Sequence, residues 1–443
     1  MLPPDVERRP YWQATMPELP DRRGRDLPDQ ADVVVVGGGY TGIAAATELA
    51  RRGTAVILLE AERLGWGAST RNGGIVHAGY KWGPAALRRR YGDETGSALY
   101  RDSVEAVELV RTKVGEIAAG GLDCEWTQNG HLELAWSSSD VAAMEAEVGE
   151  LAEAGTNARF VPRERVRDEC GTDAYHAALA IDGSGGLHPG KYFAGLASAA
   201  AAAGADLHEG VRVGAIRRDG RRGLIVETER GSIRTADVLV ATNGYTDGAV
   251  PALRRRLIPI GSYIIATEPL PEALAREISP TGRVFFDTKN FLYYWRVSAD
   301  GRLIFGGRAS FIPTTVDRTA AILQAGMLTV HPQLASYRLD YAWGGNVGFT
   351  FDRMPHVGRL GGVTYAMGYC GTGVAMATYL GTKTAGWLAG DLPPTIARLR
   401  FPLVPAPYEG RPWFLPVVGE WYRLRDRLAA RTRAPISEAP AAH

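Results

Sequence analysis

Val33-Val34-Val35-Val36-Gly37-Gly38-Gly39-Tyr40-Thr41-Gly42-Ile43-Ala44-Ala45-Ala46 decides the fold of this chain. Four β-branched apolar residues read as a buried strand, and the alanine-rich run after Gly42 reads as a helix. Between them stands Gly37-x-Gly39-x-x-Gly42. Such glycines permit a tight turn, let the backbone approach a pyrophosphate at a helix N-terminus, and let the helix lie close on its strand. Alone the pattern is weak, because any glycine turn lets a helix cross a strand. Here the strand 32–36, a helix 41–52 ended by Gly53, and a second strand 55–60 closing on Glu60 form one βαβ unit. Its length, about 30 residues, is the spacing the pattern requires, and Glu60 stands where an acidic side chain accepts hydrogen bonds from a ribose. An ADP-containing cofactor is the expectation.

The 443 residues are 45% hydrophobic and 22% charged, an ordinary globular composition long enough for two domains. Fifty basic residues against 49 acidic leave a net charge of +1, so no general field draws nucleic acid or an anionic membrane. Cys124, Cys170 and Cys370 are odd in number and lack metal-ligand spacing, so neither a metal site nor a disulfide framework is expected, and the compartment reads as reducing. Met1-Leu2-Pro3-Pro4-Asp5 has neither the basic nor the apolar region of a signal peptide. No apolar run approaches the roughly 20 residues of a membrane span. A cytoplasmic protein without integral membrane association is expected.

Residues 1–30, rich in Pro, Arg and Asp, read as an extended arm laid on the surface. Gly65-Trp66-Gly67-Ala68-Ser69-Thr70-Arg71-Asn72-Gly73-Gly74 is too rich in turn formers for regular structure and reads as a loop that approaches something closely. Helical periodicity marks 95–120 and 139–155, and 130–136 alternates like a strand. Pro189 suits the first position of a further helix running to Gly204. Strands follow at 211–217, 224–229 and 237–244, the last ending in a small polar turn with Asn243. Runs at 258–267, 291–297 and 302–307 read as a separate antiparallel sheet. Residues 363–367 form a strand, and Gly368-Tyr369-Cys370-Gly371-Thr372-Gly373 leads into a helix 374–388. The tail carries a basic amphipathic stretch, 421–428, able to touch a membrane surface; its short apolar face, interrupted by acidic residues, favours packing on its own domain.

A nicotinamide enzyme needs only the first βαβ unit. This chain adds two distant glycine-rich segments, 65–74 and 368–373, each suited to close backbone approach. Reduced flavin carries negative charge near N1 and the C2 carbonyl, and a helix N-terminus such as 371–374 stabilises it through free N–H groups and the helix dipole. Two glycine sites fit a long, rigid ring system.

At these segments the chain resembles the D-amino-acid-oxidase-like FAD-dependent oxidoreductases, which include glycine oxidase, sarcosine oxidase and γ-glutamylputrescine oxidase. The likeness is carried by 32–42 with Glu60, 65–74, 186–191, 237–244, 343–358 and 368–374. It is strongest toward the γ-glutamylputrescine oxidase branch, whose Gly-Ala-Ser-x-Arg-Asn-Gly-Gly stands here as Gly67-Ala68-Ser69-Thr70-Arg71-Asn72-Gly73-Gly74. The resemblance implies an α/β architecture: a Rossmann-like FAD-binding domain with an inserted antiparallel-sheet, α+β substrate domain. The FAD-binding domain would comprise 31–95, 160–250 and 340–400, and the substrate domain 96–159 and 251–339. The arm 1–30 and a tail 401–443 with an amphipathic helix would flank them. Non-covalent FAD would meet Gly37, Gly39, Tyr40, Thr41 and Gly42 at its pyrophosphate, Glu60 at its ribose and Val213 at its adenine. Ser69, Thr70, Asn72, Gly73 and Asn243 would line the flavin, and Gly371, Thr372, Gly373 and Val374 would face its pyrimidine end.

Departures narrow the chemistry. Amino-acid-oxidising relatives place an arginine in a Gly-Leu-Arg-Pro segment to bind the substrate carboxylate in a bidentate fork. Here the corresponding stretch is Gly345-Asn346-Val347-Gly348. Gly345 also stands where sarcosine-oxidase-like members attach flavin through a cysteine. Their oxygen-activating lysine would fall within 302–307, where Leu303, Ile304 and Phe305 occur. Arg71, Lys289 and Arg308 are the cations that could replace it, and each also reads as an ordinary paired or solvated surface charge.

Flavin oxidation of an amine requires the neutral nitrogen, and a dry pocket disfavours the ammonium form. Tyr263, Phe285, Tyr293, Tyr294, Trp295 and Trp343 are the aromatic candidates for that pocket, with Tyr294 and Trp343 grouped with the cations as catalytic candidates; each also reads as core packing. His77 and Cys370 read as structural, and His188 as a helix cap. The expected activity is oxidation of a primary or secondary, polyamine-derived amine to an imine that hydrolyses to an aldehyde, with O2 or another acceptor taking the electrons and O2 yielding H2O2. The rivals are a D-amino-acid or imino-acid dehydrogenase feeding a quinone and a non-catalytic flavin-binding subunit.

Overall fold

A computed structural model describes residues 3–220, 223–308, 311, 314–405 and 407–430. The last stretch of the expected tail, 431–443, and the first two residues of the arm lie outside the described residues.

The valine run forms the strand Gln30–Val36 at the centre of a sheet ordered His356–Leu360, Val363–Met367, Gly231–Val240, Gln30–Val36, Val56–Glu60, Asp206–Glu209. All neighbours run parallel except the first pair. A strand paired in parallel on both sides is buried on both faces, so it reads as unbroken Val rather than as alternation. Helices Tyr40–Arg51, Asp93–Ala119, Pro189–Ala202 and Gly373–Leu388 pack on one face, with Val33, Val35 and Leu58 in their core. The antiparallel hairpin Val213–Asp219/Gly223–Thr228 helps cover the other face, over Val34, Val36 and Leu59.

The second sheet is ordered Leu339–Phe349, Ile258–Thr267, Leu303–Gly307, Tyr293–Val297, Val284–Asp287, His131–Leu134, Ala177–Ile181, Ala158–Pro162. It is antiparallel apart from the parallel pair Val284–Asp287 with His131–Leu134. One face, with Leu132, Phe285, Trp295 and Phe305, buries against the helix Val316–Val330. The opposite face, with Ile264, Ile304, Trp343 and Tyr294, looks toward the first sheet.

The boundaries drawn from sequence shift in three places. Strands Ala177–Ile181 and Leu339–Phe349, placed within the nucleotide domain by order along the chain, belong to the second sheet. Helix Asp93–Ala119, grouped with the substrate domain, packs on helix Gly373–Leu388. Chain order does not reveal which sheet an apolar face meets when the chain passes repeatedly between two sheets.

The arm is also a correction. Val6, Tyr11 and Trp12 are buried, and Glu7 pairs with Tyr341 beside the edge of the second sheet. Pro10 starts the short helix Tyr11–Thr15, which drives Trp12 between the sheets, where its ring meets those of His188 and Trp343. In the tail, helix Leu415–Ala430 lies on the cluster Ile258, Ile260, Phe291 and Phe311. No described helix is long and apolar enough to cross a membrane.

Candidate FAD and substrate site

Gly37 adopts φ +110°, and a Cβ there would lie 2.9 Å from the Ala241 carbonyl oxygen. A Cβ on Gly42 would sit 1.9 Å from the Gly37 oxygen, so only glycine lets this helix start so close to its strand. The N-cap residue Gly39 offers no side chain to the first turn of helix Tyr40–Arg51, and Thr372 makes no side-chain cap on helix Gly373–Leu388. Ser69 Oγ accepts from the Tyr40 N–H at 2.9 Å, and the other N–H groups of the two first turns have no N-cap side chain as partner. The two are tied by a 2.6 Å hydrogen bond between Thr41 Oγ1 and Tyr369 Oη.

Both starts border one cavity of about 470 Å³. Gly37, Gly39, Tyr40 and Thr41 form one part of its wall, Glu60 and Val213 a second, and Gly371, Gly373 and Val374 a third. Burial pushes the Glu60 carboxyl above its ordinary range, while the N–H groups of Glu62 (2.9 Å) and Gly38 (2.7 Å) donate to it and pull the other way. Ser69, Asn72 and Gly73 line the middle. Asn243 lines it too, at φ +42°, while its Oδ1 accepts from the Gly368 N–H at 2.8 Å. Three expected FAD contacts stand behind the wall. Gly42 serves packing, Thr70 Oγ1 donates to the Gly65 carbonyl, and Thr372 Oγ1 donates to that of Tyr369. In a tight turn, alternate residues face away from the ligand.

The second sheet closes the cavity with Ser262, Phe286, Tyr294, Asn346 and Phe349. Strand alternation separates the aromatic candidates. Tyr293, Trp295 and Phe285 turn to the helix-covered core, and Tyr294 faces the cavity, its hydroxyl 3.1 Å from Ser262 Oγ. Trp343 is a correction: it is buried outside the lining, donating from Nε1 to the Arg71 carbonyl at 3.1 Å. Lys289 is another, since its ammonium stacks 3.4 Å from the Tyr293 ring centroid and faces away from the cavity.

Arg71 and Arg308 do line the cavity. Arg71 donates to the carbonyls of Trp66 (2.7 Å) and Gly344 (3.0 Å) and lies over the Trp66 ring. A Cβ on Gly345 would meet Arg71 at 3.1 Å, so the position that matches the flavin-linking cysteine is needed bare by this arginine. Arg308 donates to the Asn290 carbonyl and lies over Phe349. Burial lowers the pKa of both guanidinium groups.

Lys81 was missed in the sequence. It lines the cavity about level with Gly371, whose added Cβ would lie 3.7 Å from its Nζ. Lys81 is exposed, yet desolvation by the protein around it, with Arg308 next in effect, lowers its pKa to about 8. Among the described residues none of these cations has a carboxylate within ion-pair distance. Nearby Glu133 is pushed up to about 7, first by burial and then by Glu147. His77 also borders the cavity, held at about 4 by burial and therefore neutral. The available signal was proximity: His77 and Lys81 follow the glycine loop by only a few residues, through the two-residue strand Ile75–Val76. His188 caps helix Pro189–Ala202, accepting from the Lys191 N–H, and all three cysteines are buried and free.

Glycine-tight turns at two helix starts, a half-buried carboxylate at Glu60 and one cavity joining them are the layout of a dinucleotide-binding protein. Residues 32–387 match the family of FAD-dependent oxidoreductases designated DAO, and the chain belongs to that family. It is 34% identical to "Probable oxidoreductase OrdL" of Rhizobium meliloti (strain 1021), covering 94% of this chain and 97% of that protein. It is also 34% identical to "Gamma-glutamylputrescine oxidoreductase" of Escherichia coli (strain K12), covering 90% and 93%. Among solved structures, glycine oxidase from Geobacillus kaustophilus superimposes with TM-score 0.68 at 21% identity, covering 85% of this chain and 98% of that one. The L-proline dehydrogenase from P. horikoshii does so with TM-score 0.68 at 22% identity, covering 84% and 96%. The protein is an FAD-dependent oxidoreductase.

Proposed function

We propose that this enzyme oxidises a primary or secondary amine borne on a polyamine-derived molecule to an imine, which water hydrolyses to an aldehyde and ammonia or an amine. With O2 as acceptor the sum for a primary amine is RCH2NH2 + O2 + H2O → RCHO + NH3 + H2O2. Bound FAD supplies the two-electron acceptor. Gly37, Gly39, Tyr40, Thr41, Glu60 and Val213 would hold its nucleotide half, and Ser69, Asn72, Gly73, Gly371, Gly373 and Val374 its ring, without a covalent link. Cys370 is an inert thiol here, its pKa raised by burial.

The supporting observation is the composition of the cavity's far end. Phe286, Tyr294 and Phe349 provide apolar walls, and Lys81, Arg71 and Arg308 provide positive charge with no partner carboxylate among the described residues. An ammonium entering such a wall meets both desolvation and like charge, and each drives it to release its proton. The same cations suit an anionic group elsewhere on the substrate. Arg308 enters from the end of strand Leu303–Gly307, so a cation is present although the Gly345–Gly348 segment carries none. For that reason amino acids belong in the test. Anaerobic mixing with a panel of amines, read by flavin bleaching and then by peroxide on admitting O2, is expected to show reduction by a γ-glutamylated diamine. Simple D-amino acids should be slower by about 10²-fold, the scale on which a missing specific contact discriminates. Faster bleaching by D-amino acids would replace this reading with the amino-acid dehydrogenase, and absence of bleaching by every amine would leave a flavin-binding subunit.

A further inference from the structure

The tail helix Leu415–Ala430 is amphipathic in the direction opposite to the one its position calls for. Its protein-facing side is held by specific contacts. Asp426 accepts from the backbone N–H groups of Asn290 (3.1 Å) and Phe291 (2.9 Å), and Tyr422 packs against Phe311. Leu415 is buried in the same cluster. At about 100° per residue these positions share one side of the helix. The other side carries Val417, Trp421, Leu424 and Leu428, exposed to 74%, 58%, 49% and 51%. These four fall within an arc of about 60°, pointing straight away from the molecule. Trp413, just before the helix, is 64% exposed as well.

Surface helices bury their apolar stripe, so a ridge of large apolar side chains facing outward marks a contact surface. Charge says which kind. Arg425 and Arg427 flank the ridge on its two sides, and among the described residues neither has an acidic partner. The acidic residues of the helix are engaged elsewhere: Glu420 pairs with Arg423, and Asp426 is turned inward. Tryptophan and leucine on the outer line with arginine beside them is the arrangement of a helix lying in a headgroup layer, rings at the interface and guanidinium groups on the phosphates. A second copy is the weaker occupant, because four side chains are far fewer than the roughly 20–30 residues a side of a standard protein interface.

We propose that helix Leu415–Ala430 docks the enzyme peripherally on an anionic lipid surface. The side of the helix opposite the ridge adjoins the cavity wall, since Ile260 and Phe349 belong to the cluster beneath the helix and also line the cavity.

Co-sedimentation of the FAD-loaded enzyme with vesicles of phosphatidylcholine and phosphatidylglycerol tests this. Expected is binding at low salt that weakens by about tenfold or more on pure phosphatidylcholine or at high salt. Leu424→Asp, at an exposed position, should lower binding by about tenfold or more while the flavin spectrum and melting temperature stay those of the parent. The double substitution Arg425→Gln and Arg427→Gln should remove the preference for the anionic vesicles. No binding to either vesicle overturns the proposal, as does binding that Leu424→Asp leaves unchanged. So does a dimer in sedimentation velocity that Leu424→Asp converts to monomer, because a second copy would then cover the ridge.

Discussion

Lys81 shows how a single side chain carries chemistry that spacing could not advertise. Its ammonium borders the cavity beside Gly371 with Arg308 and Arg353 as like charges, and Glu133 and Cys370 act on it with opposite sign. Desolvation opposes the charged form and lowers the pKa to about 8, so the neutral form gains as pH rises past that value. Because the folded pKa lies below the ordinary lysine value, the charge works against folding at low pH, and that penalty is relieved as pH rises through about 8 toward the unfolded value. A fixed cation next to a site where negative charge develops lowers the barrier to forming it. If Lys81 does this for the step that returns electrons to O2, the rate of flavin reoxidation in stopped flow should fall as pH passes about 8. Lys81→Met should lower that rate by roughly 10- to 10²-fold and flatten the profile, the scale of one preorganised charge. Amine-driven reduction should change less, because Arg71 and Arg308 still supply the like charge that favours the neutral amine. Reoxidation in Lys81→Met with the parent's rate and pH dependence would remove the residue from this role.

At the scale of elements, the short helix Tyr11–Thr15 matters beyond its length. Trp12 is wholly buried, its Nε1 donates to the Asn72 carbonyl at 2.7 Å, and Gln13 Nε2 donates to Thr70 Oγ1 at 2.7 Å. The arm therefore braces from behind the loop whose front lines the flavin region. Trp12→Ala should cost about 3–5 kcal/mol in thermal or denaturant unfolding, the range for emptying a buried tryptophan site, and weaken FAD retention on dilution. Trp12→Phe keeps most of the packing and loses only the bond to Asn72, so its cost should be nearer 1 kcal/mol. Retention of FAD as tight as the parent's in Trp12→Ala would separate the arm from the site. The arm was opaque in the sequence for a physical reason: proline and charge dominate 1–30, and two aromatics in an irregular stretch carry no periodicity. The elements that were legible are those whose pattern is local. The strand Val363–Met367 and the strand Ile258–Thr267 stand where their apolar β-branched runs place them, and the first βαβ unit is fixed by its glycines. Opposite facing of Tyr294 and Trp295 was legible from alternation, but which face meets the cavity depends on the register between strands. Lys289 and Trp343 were assigned by nearness in sequence, and a one-residue change of face turns such residues away.

At the scale of the whole molecule, the cavity lies between two sheets whose cores join at one end, where Ala177, Leu179 and Ile181 of the second sheet are buried with Val33, Val35 and Leu58 of the first. The face of the second sheet covered by helix Val316–Val330 forms its own cluster around Phe285, Trp295 and Phe305. Beside that apolar junction run polar ties: Trp343 to the Arg71 carbonyl, the Tyr245 hydroxyl accepting from the Asn346 N–H, and buried Arg296 donating to the Leu187 carbonyl. A ligand reaching from Glu60 and Val213 to Phe286 and Tyr294 would touch both bodies and be lost when either unfolds. Binding to the folded state alone adds about 2.7 kcal/mol when free ligand stands at 100 times its dissociation constant, so FAD should raise the melting temperature in proportion to the logarithm of its concentration. Calorimetry is expected to show one cooperative transition for the FAD-loaded enzyme and, after FAD removal, a lower-melting profile that separates into two. Glu60→Gln should weaken the dependence on added FAD, because a neutral amide accepts ribose hydrogen bonds less strongly than a carboxylate. Its FAD-free profile should itself move to slightly lower temperature, because Glu60 accepts from the Gly38 and Glu62 N–H groups through two oxygens and an amide can serve only one, so the slope against FAD concentration is the readout. A single transition at unchanged temperature after FAD removal would mean that the apolar junction at Ala177–Ile181 and the polar ties couple the two sheets by themselves, with the cofactor no part of what holds them together.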